Sequence, residues 1–153
     1  MILKELKERN DIADNTKLNT AYIKFENLLV ELDTRALPDE INSFINTQVD
    51  ALNLISDSGK EFKKQLCKKR AAIVKRVERD LKIVPKNHYR NTWMILGMSI
   101  YGIPLGVVFG AIIGNMGLLG IGLPIGMVIG MAMGSKMDKK AEEEGRQLDV
   151  EFK

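Results

Sequence analysis

The sequence is poor in the residues that build metal and disulfide sites. Its 153 residues include one cysteine, Cys67, and one histidine, His88. Neither a disulfide framework nor a cysteine or histidine metal cage is therefore available. The P-loop, HExxH, GxSxG and dinucleotide-binding patterns are also missing. We therefore expect no enzymatic activity, no cofactor and no metal.

A second absence concerns charge. Residues 91–135 contain no Asp, Glu, Lys, Arg or His over 45 positions. Because a transmembrane helix needs about 20 apolar residues, this segment has room for two crossings and a tight turn. We predict helices over about 92–114 and 118–137, joined by a turn at 115–117. Carrier function is not expected, because ion and proton relays use ionisable groups inside the membrane.

Eight glycines in this segment form two ladders with four-residue spacing. The stretches GIPLGVVFGAIIG (102–114) and GLPIGMVIGMAMG (122–134) align at an offset of 20, with Pro104 over Pro124. Residues four apart share one helix face, so each ladder makes a groove that lets another backbone come close. The residues predicted to pack helices are Gly102, Gly106, Gly110, Gly114, Gly122, Gly126, Gly130 and Gly134.

The sequence leaves open what fills these grooves. The ladders can face each other within one hairpin, or they can pack against neighbouring copies of the chain. We favour neighbouring copies, because a ladder of four glycines drifts through about 120° and one partner helix does not cover the whole strip. Pro104 and Pro124 are expected to kink two spanning helices, although they could instead begin the short helices of a re-entrant hairpin.

Basic residues flank the uncharged segment on both sides. Short flanks rich in Lys and Arg stay cytoplasmic, so we expect a multi-pass protein of the inner membrane with both termini in the cytoplasm. The N-terminus lacks the apolar core of a secretory signal, which leaves the internal segment to enter the membrane. The basic residues expected at the membrane surface are Lys82, Lys86, Arg90, Lys136, Lys139 and Lys140.

Residues 91–137 resemble the glycine-zipper hairpins of bacterial membrane proteins and membrane-inserting toxins. More distantly, they resemble the apolar helical hairpin of pore-forming colicins. The resemblance rests on the paired ladders and their matched prolines. It implies membrane insertion, self-association and, in several such families, pore formation.

The first 90 residues predict an all-α domain of about three helices. The first helix has apolar residues at alternating spacings of four and three from Leu18 to Leu32, which is typical of coiled-coil packing. The second helix begins after Pro38, and the third runs over about Lys60–Val84. We therefore divide the chain into a cytoplasmic α-helical domain (1–90), a transmembrane hairpin (91–137) and a polar C-terminal tail (138–153).

Charge within the cytoplasmic domain is divided by region. Residues 60–90 carry 12 Lys and Arg against 3 Asp and Glu, whereas residues 1–59 carry 6 against 11. The basic third helix can pair with the acidic region before it, or it can attract anionic lipid headgroups. Nucleic acid is the least supported partner, because no aromatic residues are interleaved with the basic run.

Two functions from different classes follow. We favour an integral membrane protein that self-associates through its glycine helices as an oligomeric pore or a membrane-disrupting effector. The alternative is a non-conducting anchor or scaffold that presents the helices of residues 1–90 to a protein partner. Membrane lipids and further copies of the chain are the expected partners in either case.

Overall fold

The computed structural model describes residues 3–9, 12, 16–56, 59–115, 117 and 119–152. The predicted all-α class is confirmed, and two short strands pair in a small sheet. The elements in chain order are α1 (Thr16–Asp33), α2 (Asp39–Asn53), α3 (Lys60–Leu81), β1 (Val84–Pro85), α4 (His88–Gly97), a π turn (Met98–Gly102), α5 (Ile103–Ile113), α6 (Leu119–Glu143) and β2 (Gln147–Leu148).

The chain divides into two compact units. The first unit consists of Met1–Pro85 together with Leu148–Lys153, and the hairpin unit consists of Lys86–Gln147. This division differs from the expected one at the C-terminus, because the last residues belong with the first part of the chain. The uncharged segment therefore lies in a unit inserted between two parts of the first unit.

A shared apolar core joins α1, α2 and α3 in the first unit. The predicted stripe of α1 is buried along its length, from Leu18 to Leu32. α2 begins with Asp39 and Glu40 in its first turn, where acidic side chains stabilise the exposed N–H groups of a helix. The fully buried side chains with the largest volumes include Phe25 and Phe62.

The third helix ends before its predicted limit at Val84. Lys82 takes a left-handed backbone conformation (φ 58°), and its N–H donates to the carbonyl oxygen of Glu78 at 3.0 Å. This geometry closes the last turn of α3. Val84 consequently lies in β1, where it is fully buried. Lys82 thus ends a helix of the first unit.

Side chains of α1 and α2 hold the N-terminal residues. The backbone N–H of Lys4 donates to Asn46 Oδ1 at 2.8 Å, and that of Lys7 donates to Asn53 Oδ1 at 2.9 Å. The Tyr22 hydroxyl donates to the Lys7 carbonyl at 3.2 Å. Burial, followed by the nearby Glu26 carboxylate, raises the pKa of Tyr22 to about 12. The hydroxyl therefore keeps the proton that it donates in this bond well into the alkaline range.

The C-terminal residues complete the core of the first unit, although the sequence analysis assigned them to a polar tail. Leu148 and Val150 are buried in that core, and the Arg70 guanidinium lies 4.5 Å from the centroid of the Phe152 ring. The backbone N–H of Asp149 donates to Glu31 Oε1 at 3.2 Å. The apolar residues of this segment alternate with polar ones, which is the pattern of a strand with one buried side.

The hairpin unit contains two helices that are long and apolar enough to cross a membrane. α4, the π turn and α5 form one continuous helix over His88–Ile113, and α6 follows it. These helices extend further than predicted at their charged ends. Along the added turns of α6, Lys139 pairs with Glu143 at 3.9 Å. In the turn between the helices, Gly117 N–H donates to Asn115 Oδ1 at 2.9 Å, whereas Met116 lies outside the described residues.

We expect Leu148→Ala to destabilise the first unit by about 2–5 kcal/mol, because it removes a side chain that is 1% exposed from the core. The measurement is urea unfolding of the full chain in detergent micelles, followed by far-ultraviolet circular dichroism. The control is Asp149→Ala, which changes an exposed neighbour and should stay within about 0.5 kcal/mol of the unchanged protein. Equal stability of the two variants would contradict a core role for the C-terminal segment.

Candidate functional site

The two long helices of the hairpin unit meet through glycine. The large apolar side chains of α6 lie off this face. The buried positions of α6 recur at intervals of four or three, and those of the facing helix at intervals of five and four. On α6 they are Gly122, Gly126, Gly130, Gly134, Asp138 and Ala141. On the facing helix they are Gly97, Gly102, Gly106 and Gly110.

The backbones approach so closely that no side chain fits between them. A Cβ atom on Gly130 would run into the carbonyl oxygen of Trp93. A Cβ atom on Gly134 would lie 2.5 Å from both the Tyr89 carbonyl oxygen and the Arg90 Cα. Because these obstacles are backbone atoms of the opposite helix, a side chain at either position would push the helices apart.

Two pairs of glycines face each other reciprocally. A Cβ atom on Gly97 would meet the carbonyl oxygen of Gly126, and a Cβ atom on Gly126 would meet that of Gly97. Gly102 and Gly122 stand in the same relation. In each pair the Cα–H bonds therefore point at the carbonyl oxygens across the interface. Such contacts recur between packed helices and contribute about 0.5–1 kcal/mol each.

The π turn matches the register of the two helices. Gly97 and Gly102 are five residues apart, whereas the glycines that they face, Gly126 and Gly122, are four apart. In the π turn the Ile103 N–H donates to the carbonyl of Met98, five residues back. A turn closed over five residues brings Gly97 and Gly102 to one face, which a regular α-helix does not do.

The two prolines occupy different positions in their helices. Pro104 sits in the first turn of α5, directly after the π turn, and it has no N–H to donate to the carbonyl four residues back. The wider turn before it accommodates this missing bond. Pro124 lies inside α6, which continues as one helix on both sides of it.

With one exception, the predicted glycines lie buried on the facing sides of the two helices. Gly114 does not lie at the interface, since it takes a left-handed conformation (φ 71°) that ends α5, and no described atom lies within 4 Å of a Cβ atom built on it. Gly97 belongs to the interface but breaks the four-residue spacing, so the sequence analysis missed it. The ladders face each other within one chain, and packing against further copies stays a prediction.

The exterior of the hairpin is apolar. Its large side chains point away from the glycine face and remain exposed, for example Ile112 at 77% and Val128 at 61%. In the most apolar window of each helix, only 22% of the window is buried inside the chain. The hairpin thus has a glycine core and a surface of isoleucine, valine and methionine, which is the reverse of a water-soluble helix pair.

A carboxylate continues the glycine face beyond the uncharged segment. Asp138 lies one turn after Gly134 and is 6% exposed. Its two oxygens accept the backbone N–H groups of Tyr89 at 3.0 Å and of Arg90 at 2.8 Å. These groups belong to the first turn of α4, which lacks a side-chain cap from Asn87. Asp138 thereby caps the neighbouring helix from across the interface.

The predicted surface cations divide into two sets within the hairpin unit. Lys86, Arg90 and Lys139 line a polar cavity of about 300 Å³, together with Asp138 and Glu142. The remaining two, Lys136 and Lys140, are exposed and do not line this cavity. Across the described part of the chain, no group of three or more His, Cys, Asp or Glu is placed to hold a metal ion.

Comparisons with known proteins assign no family to these features. The chain matches no protein-family model, no curated protein and no solved structure. The likeness of residues 91–137 to glycine-zipper hairpins therefore rests on their sequence pattern. Function has to be argued from the geometry of the hairpin.

We expect Gly126→Ala to destabilise the hairpin by about 1–3 kcal/mol, because its methyl group meets the backbone at Gly97 and Gly102. Gly120→Ala is the matched control, since Gly120 lies in the same helix with no described atom within 4 Å of a Cβ atom. There alanine should be neutral or stabilising by up to about 1 kcal/mol. Thermal unfolding in detergent measures both, and stabilisation by Gly126→Ala would contradict the close packing.

We expect Asp138→Ala to destabilise the hairpin by about 0.5–2 kcal/mol, because two N–H groups of α4 lose their acceptor. Asp138→Asn should recover part of this loss, since its amide oxygen still accepts a hydrogen bond. The readout is hydrogen exchange at the Tyr89 and Arg90 amides, which should accelerate most in the alanine variant. Unchanged exchange at both amides would show that Asp138 is not their cap.

Proposed function

We propose that this chain is a membrane-anchored protein whose hairpin crosses the bilayer twice and tethers the first unit to one side. The observation that carries the proposal is the exposed apolar surface around a glycine core. In hydrocarbon such a surface carries no free-energy cost. In water, each exposed large apolar side chain lacks the stabilisation of about 1.5–3 kcal/mol that burial would provide. Backbone groups within the helices are satisfied internally, as a bilayer requires.

The path of the chain supports an even number of crossings. Residues before and after the hairpin unit belong to one compact unit, which the chain leaves after Pro85 and rejoins at Leu148. Since a bilayer cannot pass through a packed core, both ends of the hairpin emerge on the same side. The basic flanks favour the cytoplasm as that side.

The packing of the glycines favours an anchor over a pore. Their faces are used between the two helices of one chain, which leaves apolar side chains as the surface available to neighbouring copies. A lumen lined by such side chains would resist wetting and ion passage. Self-association, pore formation and the binding of a protein partner through residues 1–90 stay predictions, and the first two have less support than the anchor.

Cysteine accessibility tests the crossing. In a Cys67→Ser background, we expect a membrane-impermeant thiol reagent to label Asn115→Cys from the outside of intact spheroplasts. Glu143→Cys, at the end of α6, and Val30→Cys, an exposed position of the first unit, should be labelled after the membrane is opened. Labelling of Asn115→Cys and Glu143→Cys from the same side would contradict a spanning hairpin and favour a re-entrant one.

Dye retention separates the anchor from the pore. Liposomes that carry the inserted protein should hold a trapped fluorophore as well as protein-free liposomes do. Insertion is verified on the same preparation by the resistance of the hairpin to protease. Release that rises with the amount of inserted protein would overturn the anchor and support the pore.

A further inference from the structure

We propose that the polar cavity at the charged end of the hairpin binds the phosphate group of a phospholipid headgroup. This inference rests on the proposed membrane crossing. The cavity lies wholly within the hairpin unit, between the start of α4 and the last turns of α6. It has a volume of about 300 Å³, which is at the lower limit of small-ligand pockets and suits a headgroup.

The charges that line the cavity favour a monoanion. Lys86, Arg90 and Lys139 contribute three positive charges, and Asp138 and Glu142 contribute two negative ones, which leaves a net charge of +1. The Asp138 carboxylate is directed at the first turn of α4 through its two backbone hydrogen bonds. A phosphodiester carries one negative charge and accepts paired N–H groups, the geometry that a guanidinium offers.

The position of the cavity along the hairpin, at the boundary of the uncharged segment, favours a lipid over a soluble phosphate. Arg90 directly precedes the uncharged segment and Ser135 is the last residue of that segment, and both line the cavity. The cavity therefore lies where the apolar exterior of both helices gives way to charge, which is the level of headgroups for a spanning hairpin. Acyl chains attached to a bound phosphate can lie along exposed apolar side chains such as Ile95.

Lys139 is available for such a ligand. Its Nζ lies 3.9 Å from Glu143 Oε1, and both side chains are more than half exposed. Ion pairs of this kind contribute little, so an incoming phosphate does not have to displace a strong interaction. Lys136 and Lys140 lie on the same helix outside the cavity, and they provide a control for unspecific attraction of the membrane surface.

The test is native mass spectrometry of the full chain in detergent with phosphatidylglycerol. We expect one retained lipid, and about tenfold weaker binding in the Arg90→Gln, Lys139→Gln double variant. The matched Lys136→Gln, Lys140→Gln double variant removes the same charge and should bind within about twofold of the unchanged protein. Arg90→Lys with Lys139→Arg keeps the charge and should retain the lipid. Circular dichroism verifies that each variant keeps its helices.

Three outcomes would overturn the site. Equal weakening in both glutamine variants would mean diffuse attraction, and equal binding of diacylglycerol would mean that the phosphate is not recognised. Full displacement of the lipid by glycerol phosphate at equal concentration would assign the cavity to a soluble phosphate. If Asn115→Cys labelling shows a crossing and any of these outcomes occurs, the headgroup site fails while the anchor stands.

Discussion

The close contact between two glycine backbones governs the hairpin unit. It requires that both helices present hydrogen atoms where other residues have side chains, and it therefore directs every large side chain outward. The reciprocal pairs Gly97 with Gly126 and Gly102 with Gly122 also fix the register, because each carbonyl must lie opposite one Cα. Asp138 reaches the start of α4 only because the faces above it carry no side chains to hold the helices apart. Packing, surface chemistry and capping thus have one cause.

Much of this arrangement follows from sequence periodicity, and the exceptions have physical reasons. The glycine ladder of α6 and the stripe of α1 obey helical spacing, so their buried faces were predictable. Gly97 was not, because its five-residue distance from Gly102 fits one face only when a π turn intervenes. Asp138 was not, because its partners are backbone groups 48 and 49 residues away. Leu148 was missed because one short alternating segment among charged residues is a weak signal beside two long helices.

The same contact bears on what the hairpin can do. Glycines that pack against each other within one chain are not available to pack against neighbouring chains in a ring. The hairpin therefore resembles pore-forming hairpins in its sequence pattern, and the resemblance does not carry over to how chains would assemble. The end of the hairpin unit that contains the start of α4 and the last turns of α6 differs chemically from its apolar part. Polar side chains of both helices converge there around a cavity. This polar end is therefore the chemically distinctive part of the hairpin unit.

The hairpin unit is inserted in the sequence between two parts of the first unit, and this also affects the order in which the chain folds during synthesis. A ribosome delivers residues 1–85 first, but Leu148 and Val150 of the same core follow only after the whole hairpin has been made. The nascent first unit consequently waits with an unfilled core while the apolar segment leaves the ribosome. Folding of the hairpin unit and closure of the core of the first unit can therefore be successive steps, because that core is complete only after the hairpin has been synthesised.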